Sequence, residues 1–323
     1  MMPHKQFDRS KLKLSPLSER ENLVTGADLI YPDSARTIYD NESIPILAEA
    51  ILKARKKNRS VLLSCGAHVI KSGCAPLIVD LIDRKLISHL ALNGAGAIHD
   101  FEMALIGETS ERVADVIRTG KFGLWKETGR INEAVNIGYD QGLGFGEALG
   151  KYIEEEEFPC RSTSVLAAGY RAGIPVTVHV AIGQDIIHEH PNFDGAKTGG
   201  ASYRDFLVYT ETVMNLEGGV FLNIGSAVMG PEVYLKALSM ARNSALSDGR
   251  EIRHFTTAVF DIQDLGDDLT DEAPKDSPRY YFRPYKTILV RTIADGGASY
   301  YVKGDHRQTV ALLYDNIIER MDD

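Results

Sequence analysis

One stretch constrains this chain more than any other. Val61 to Gly107 reads VLLSCGAHVIKSGCAPLIVDLIDRKLISHLALNGAGAIHDFEMALIG. An apolar run, Val61 to Leu63, meets a small-residue turn, Ser64-Cys65-Gly66-Ala67, and a helical pattern follows through Asp83. A second apolar run, His89 to Leu92, meets Asn93-Gly94-Ala95-Gly96-Ala97, and another helical pattern starts near Asp100. Strand, glycine turn and helix, given twice, is the grammar of a parallel α/β sheet. Ligands of such sheets lie beyond the carboxyl ends of the strands. Glycine lets backbone amides come close to a phosphate, and a helix N-terminus favours its charge. Cys65–Ser72 and Asn93–Asp100 are therefore the first places to expect a nucleotide. A Gly-Ala-Gly turn alone does not separate this from a tight connection.

The alternation continues. Ser43 to Lys57 reads as a helix with Pro45 in its first turn. Strands are expected at Ile174–Val180, Gly219–Ile224, His254–Phe260, Lys286–Thr292 and Ala298–Val302. Helices are expected at Ser164–Arg171, Tyr203–Leu216, Pro231–Ala241 and Asp305–Met321, with one or two over Ile131–Glu157 and a helical start to Glu108–Gly123. Pro191–Gly200 and Asp261–Pro278 read as loops. Gly142-Leu143-Gly144-Phe145-Gly146 mimics a dinucleotide fingerprint, but no strand precedes it. Trp125, the only tryptophan, reads as core. The expected organisation is an irregular arm, 1–43, and a single Rossmann-like α/β domain with a parallel sheet, 44–323.

The balance of 45 acidic against 36 basic residues gives a net charge of −9, which argues against a general nucleic-acid binder and suits cationic substrates. Three cysteines without CxxC spacing read as reduced thiols of a cytoplasmic protein. The polar, basic N-terminus shows no signal peptide, and no apolar run is long enough to span a membrane.

Several turns at expected strand ends collect polar and small residues: Ser72, Asn93 to Asp100, Gly183 to His188, Gly225 to Ala227, Thr257-Ala258 and Asp305. In a parallel sheet such turns converge on one edge, the sequence basis for a nucleotide crevice. From about Ile44 to about Tyr314 these pieces resemble, in order, the deoxyhypusine synthase family. The matching pieces are Ser72-Gly73, Gly94-Ala95-Gly96 with Asp100 behind it, Gln184-Asp185-Ile186-Ile187, Gly225-Ser226, Thr257-Ala258, Gly304-Asp305 and Lys286 in PYKTILV. The resemblance implies an NAD-binding fold and NAD contacts at Ser72, Asn93, Gly94, Ala95, Gly96, Asp100, Gly225, Ser226, Thr257, Ala258 and Asp305. It implies amine binding by Asp185, beside His188, and a homotetramer.

It also implies a reaction. NAD takes a hydride from the carbon beside an amine, and Lys286 attacks the resulting imine and holds the aminobutyl group as a Schiff base. Transfer to a second amine and return of the hydride complete the cycle. A lysine nucleophile must be neutral, which burial favours.

The chain departs from the family pattern. Ile98-His99 stands where the family has acidic residues, Gly230-Pro231-Glu232 replaces Lys-His-His, and Pro284 replaces a tryptophan. His99 and Glu232 become candidate substrate contacts. The departures leave open spermidine as donor, a protein lysine as acceptor, a homospermidine synthase-like reaction on another small amine or polyamine, and a non-catalytic NAD-binding protein. A separate cluster, His179, His188, Glu189, His190 and Asp194, has metal-ligating residue types and raises a metal-dependent hydrolase; loop and crevice histidines account for it as well, and no metal is assigned.

Overall fold

Among the described residues of the computed structural model eight strands form: β1 (Asn22–Thr25), β2 (Val61–Cys65), β3 (His89–Asn93), β4 (Glu108–Glu111), β5 (Val176–His179), β6 (Val220–Ile224), β7 (Thr256–Asp261) and β8 (Ala298–Lys303). The structure describes residues 4–34, 36, 38–266, 269 and 271–322. Residues 267, 268 and 270 of the expected loop, and 1–3, 35 and 37 of the expected arm, lie outside the described residues.

Six strands make one parallel sheet in the order β5-β3-β2-β6-β7-β8. The chain moves from β2 outwards through β3 to β5, then returns to the far side of β2 with β6 and continues through β7 to β8. This is the doubly wound arrangement, and its direction reverses between β2 and β6. Both faces are covered. Val61, Leu63, Leu90, Leu92, Val178, Leu222 and Phe260 pack on one face under the helices Ser43–Lys56, Ala75–Asp83, Val165–Ala172 and His306–Asp322. Leu62, Ala91, Phe221 and Val259 pack on the other, under Gly195–Val213 and Met229–Ser247. Burial on both faces explains why the strands read as near-continuous apolar runs. Each fully buried Leu, Ile or Val contributes about 1.5–3 kcal/mol.

Three expectations are corrected. Lys286–Thr292 is not a strand: Tyr285–Arg291 is π-helical, and the Thr292 amide donates to the Thr287 carbonyl. Pro284, at φ −57 and ψ −43, already has helical backbone and precedes its first residue. Pro191–Gly200 is loop only to Asp194, whose carboxylate accepts from the amides of Ala196 and Lys197 and starts the helix Gly195–Val213. Glu108–Glu111 is not helical; it pairs antiparallel with β1, so part of the N-terminal arm is tied to the body. The arm is also held by Arg20, whose guanidinium makes a two-pronged pair with Glu102 at 2.9 and 2.8 Å, both side chains 1% exposed. Among the described residues no helix is long and apolar enough to cross a membrane.

Candidate functional site

The turns after β2 and β6 meet at the reversal. A Cβ on Gly66 would stand 2.0 Å from the Gly225 carbonyl oxygen, and Gly225 has φ +61 with the His306 imidazole 2.4 Å from where its Cβ would be. Only glycine allows this approach. A crevice of about 560 Å³ opens there, lined by Gly66, His68, Asn93, Gly94, His179, Asp185, Ser226 and Val228 among others. On its far side starts the 19-residue helix Met229–Ser247, whose cap residue Val228 offers no side-chain acceptor. Ser226 Oγ accepts from the Gly230 amide at 2.8 Å, Pro231 has no N–H and the Glu232 amide bonds the Val228 carbonyl, so of the first turn the Met229 amide is left to attract an anion.

The Asn93-Gly94-Ala95-Gly96 turn starts the helix Gly94–Ile106. Asn93 Oδ1 caps it by accepting from the Gly96 amide at 2.9 Å. Asp185 takes the next place: its carboxylate accepts from the Ala95 amide, and Oδ2 lies 2.1 Å from where a Cβ on Gly94 would be. A carboxylate of this chain therefore occupies the helix N-terminus at which a phosphate was expected. Burial pushes the Asp185 pKa up to about 6, and the Ala95 amide opposes that rise. His188 shapes the turn, its Nδ1 accepting from the amides of Gly183 and Asp185, each at 3.1 Å.

Asp185 and Gln184 also line a second cavity of about 260 Å³ beside the crevice. Lys71, His99, Ser110, Glu111 and the paired Arg20 and Glu102 complete its polar wall, and Ala95 also lines it. Glu111 accepts from Trp125 Nε1 at 2.9 Å and from the Gly123 amide at 3.1 Å, and burial raises its pKa. His99 Nδ1 bonds Thr109 Oγ1 at 2.8 Å, and burial lowers its pKa to about 4, so it is neutral at pH 7.

The structure thus brings together Asn93, Gly94, Ala95, Asp185, Gly225 and Ser226 around the crevice and its neighbour, with His99 in the inner cavity and His188 behind Asp185. Gly96 serves the Asn93 cap. Other expected positions fall elsewhere. Thr257 and Ala258 lie near the start of β7, away from its carboxyl end, and Thr257 Oγ1 donates to the Ile288 carbonyl of the π-helix. The common cavity expected for Asn93, Gly225, Thr257 and Asp305 therefore does not form. Asp100 is buried under the helix Val165–Ala172, where it accepts from Ser164 Oγ and the amides of Val165 and Leu166. Ser72 ends the helix Ala67–Lys71, and its carbonyl receives Arg307. Asp305 is exposed and caps the amide of Arg307.

Lys286 is 6% exposed, but its ammonium lies 3.8 Å from the centre of the Tyr280 ring, not along the crevice wall. Glu232 pairs with Lys236 and with Arg283 at 3.3 Å, so it does not join His99. The cluster around His188 is also dispersed: His179 lines the crevice, His188 holds the Gly183–Asp185 turn, and His190 Nε2 meets the Gly123 carbonyl. Among the described residues no group of three or more His, Cys, Asp or Glu side chains is placed to hold a metal ion.

Two features were not read from the sequence. The Arg20–Glu102 pair joins residues far apart in the chain. His179 belongs to a buried line of side chains with Thr177, His89 and Thr212. The only local signal was polar residues within apolar strands.

No protein-family profile matches the chain, and no curated protein matches it. Solved structures do. An arginine dihydrolase from cyanobacteria, ArgZ, is 16% identical at TM-score 0.52, covering 88% of this chain and 34% of its own. A conserved LOR/SDH protein from Methanococcus maripaludis S2 is 16% identical at TM-score 0.52, covering 91% of this chain and 74% of its own. A deoxyhypusine synthase-like protein from Entamoeba histolytica is 8% identical at TM-score 0.45, too distant to carry an argument. The chain spans about a third of the dihydrolase it matches. These likenesses establish the fold: a Rossmann-like α/β domain.

Proposed function

We propose that this chain binds NAD at the reversal between β2 and β6 and oxidises an amine held in the adjoining cavity. The observation that carries the reading is the placement of Asp185, a half-protonatable carboxylate that lines both cavities. The crevice suits a dinucleotide in three respects. The backbones of Gly66 and Gly225 meet where no Cβ fits. The Met229 amide, at the start of the helix Met229–Ser247, is offered to a phosphate at the crevice. Asp261 ends the strand that follows this helix, the position from which an acidic residue takes a ribose hydroxyl in dinucleotide folds. When bound, NAD supplies a hydride acceptor.

In the inner cavity Asp185 and Glu111 offer carboxylates to an ammonium group. An arriving cation favours their ionised forms, opposing the effect of burial. The net charge of −9 adds long-range attraction for cations.

The finer reading is deoxyhypusine synthase-like aminoalkyl transfer, with a polyamine donor, an amine or protein lysine acceptor, and a homotetramer. It requires Lys286 to leave the Tyr280 ring and reach the oxidised amine, by movement or across subunits. Trapping with borohydride after incubation with NAD and spermidine tests it; an adduct at Lys286, lost in Lys286→Arg, supports it. The broader reading is tested by incubating the protein with NAD and spermidine, putrescine, ornithine or arginine and following reduced nicotinamide. Reduction with one of these amines is expected. Bound NAD without reduction by any of them contradicts amine oxidation.

A further inference from the structure

The sheet face under the helix Gly195–Val213 carries polar residues where apolar ones would pack. His179 is 8% exposed and closes β5 at the crevice; His89 is fully buried and opens β3 at the opposite end. The register that pairs Leu90 with Val176 brings them to the two sides of Thr177. Thr177 Oγ1 lies 3.0 Å from His179 Nε2 and 2.8 Å from His89 Nε2. His89 Nδ1 lies 2.7 Å from Oγ1 of Thr212, which is half-buried on the helix. The Tyr209 ring packs edge-on against both imidazoles, with centroids 5.4 and 5.3 Å away, and fixes their planes. The hydrogen bond of the His179 ring among the described residues is the one at Nε2, and the residue lines the crevice, to which Nδ1 is left.

A hydroxyl has one proton, and a neutral imidazole has one N–H and one bare nitrogen. The line therefore has two consistent states. In one, Thr212 donates to the Val208 carbonyl at 3.3 Å, His89 Nδ1–H donates to Thr212, Thr177 donates to His89 Nε2, and His179 Nε2–H donates to Thr177. His179 then shows a bare Nδ1 to the crevice. In the other, the three bonds along the line are reversed, Thr212 donates to His89 Nδ1 instead of to the Val208 carbonyl, and His179 Nδ1 carries a proton. The two states differ by the passage of one proton along the line.

We propose that His179 accepts the proton released at the crevice and that Thr177, His89 and Thr212 carry the equivalent proton to the outer face of the sheet. The proposal rests on the amine-oxidation reading above. Oxidation of a neutral amine to an imine by a nicotinamide dinucleotide removes the C–H bond as a hydride and the N–H bond as a proton. That proton forms the new N–H bond at His179 Nδ1. The Nε2–H of His179 passes to Thr177, the Thr177 proton to His89 Nε2, the Nδ1–H of His89 to Thr212, and the Thr212 proton to water. Both imidazoles end neutral. Burial, which lowers the pKa of each to about 3, disfavours a resident imidazolium and suits a transfer that leaves none.

The test begins with the cofactor-free protein. Imidazole nitrogen resonances report which ring nitrogen carries hydrogen. One Nε2 of the pair His89 and His179 is expected to be protonated and the other bare, with opposite tautomers in the two rings. Two protonated Nε2 atoms, or two bare ones, overturn the relay. The second arm uses NAD with spermidine. Thr177→Val is expected to lower turnover at least ten-fold with NAD affinity unchanged, and Thr177→Ser to restore it; Thr212→Val, at the half-buried end, is expected to slow turnover without unfolding the protein. Undiminished turnover in both valine variants overturns the relay. Absence of turnover in the unaltered protein counts against the oxidation reading, and the tautomers then decide the relay by themselves.

Discussion

Oδ2 of Asp185 stands 2.1 Å from the place a Cβ on Gly94 would take. The glycine of the turn and the carboxylate are thus two halves of one arrangement. The glycine leaves the space, and the helix start, through the Ala95 amide, holds the charge. Gly94→Ala is expected to push Asp185 off the helix and to cost about 1–3 kcal/mol of stability, as overpacking does. Urea unfolding of the variant measures it; a loss near zero would show that Asp185 moves freely.

Asp205 gives a pH dependence with a definite sign. Its Oδ2 accepts from the amides of Gly146 and Val178 at 2.9 and 2.7 Å, and burial raises its pKa to about 7. The folded protein therefore holds a proton that the unfolded chain, with a carboxyl pKa near 3.8, has already lost. Stability from this group is present at low pH and is lost as pH rises from about 4 to about 7. Relative to the unaltered protein, Asp205→Asn should gain stability across that window, by a few kcal/mol at about 1.4 kcal/mol per unit. A stability difference that does not change with pH would contradict this.

The Arg20–Glu102 pair predicts non-additivity. Glu102 also accepts from Thr109 at 2.7 Å and Thr128 at 2.7 Å, which helps keep its pKa below the usual carboxylate range against its burial. Arg20→Met leaves that charge unpaired and should cost about 3–5 kcal/mol. Adding Glu102→Leu should recover much of the loss. A double variant as unstable as the sum of the two singles would contradict the pairing.

Much of the fold was legible. Five of the six sheet strands are almost wholly buried, β8 being the partly exposed edge, and all but β7 end near a small-residue turn, so most of their runs stood out against the helices. Lys286–Thr292 misled because a short apolar run has no period that separates strand from helix. The β1–β4 pairing was hidden because Asn22–Thr25 and Glu108–Glu111 are largely polar and far apart in the chain. At the site, Asn93, Gly94, Asp185 and Gly225 were legible as turn residues. Thr257 was misplaced because it sits at the start of its strand, a matter of register within β7. The line from His179 to Thr212 depends on the pairing of β3 with β5 and on the helix laid across them, which no local pattern shows.

The central claim is that the crevice between β2 and β6 is a dinucleotide site, and calorimetric titration with NAD tests it most directly. The account predicts saturable binding of one NAD per chain, with Kd below about 1 mM, and a matching rise in melting temperature. Exposed Ala181 lines the crevice, so Ala181→Trp should abolish both effects while leaving stability of the free protein within about 0.5 kcal/mol. No binding to the folded protein at millimolar NAD, or binding that Ala181→Trp leaves unchanged, would contradict the account.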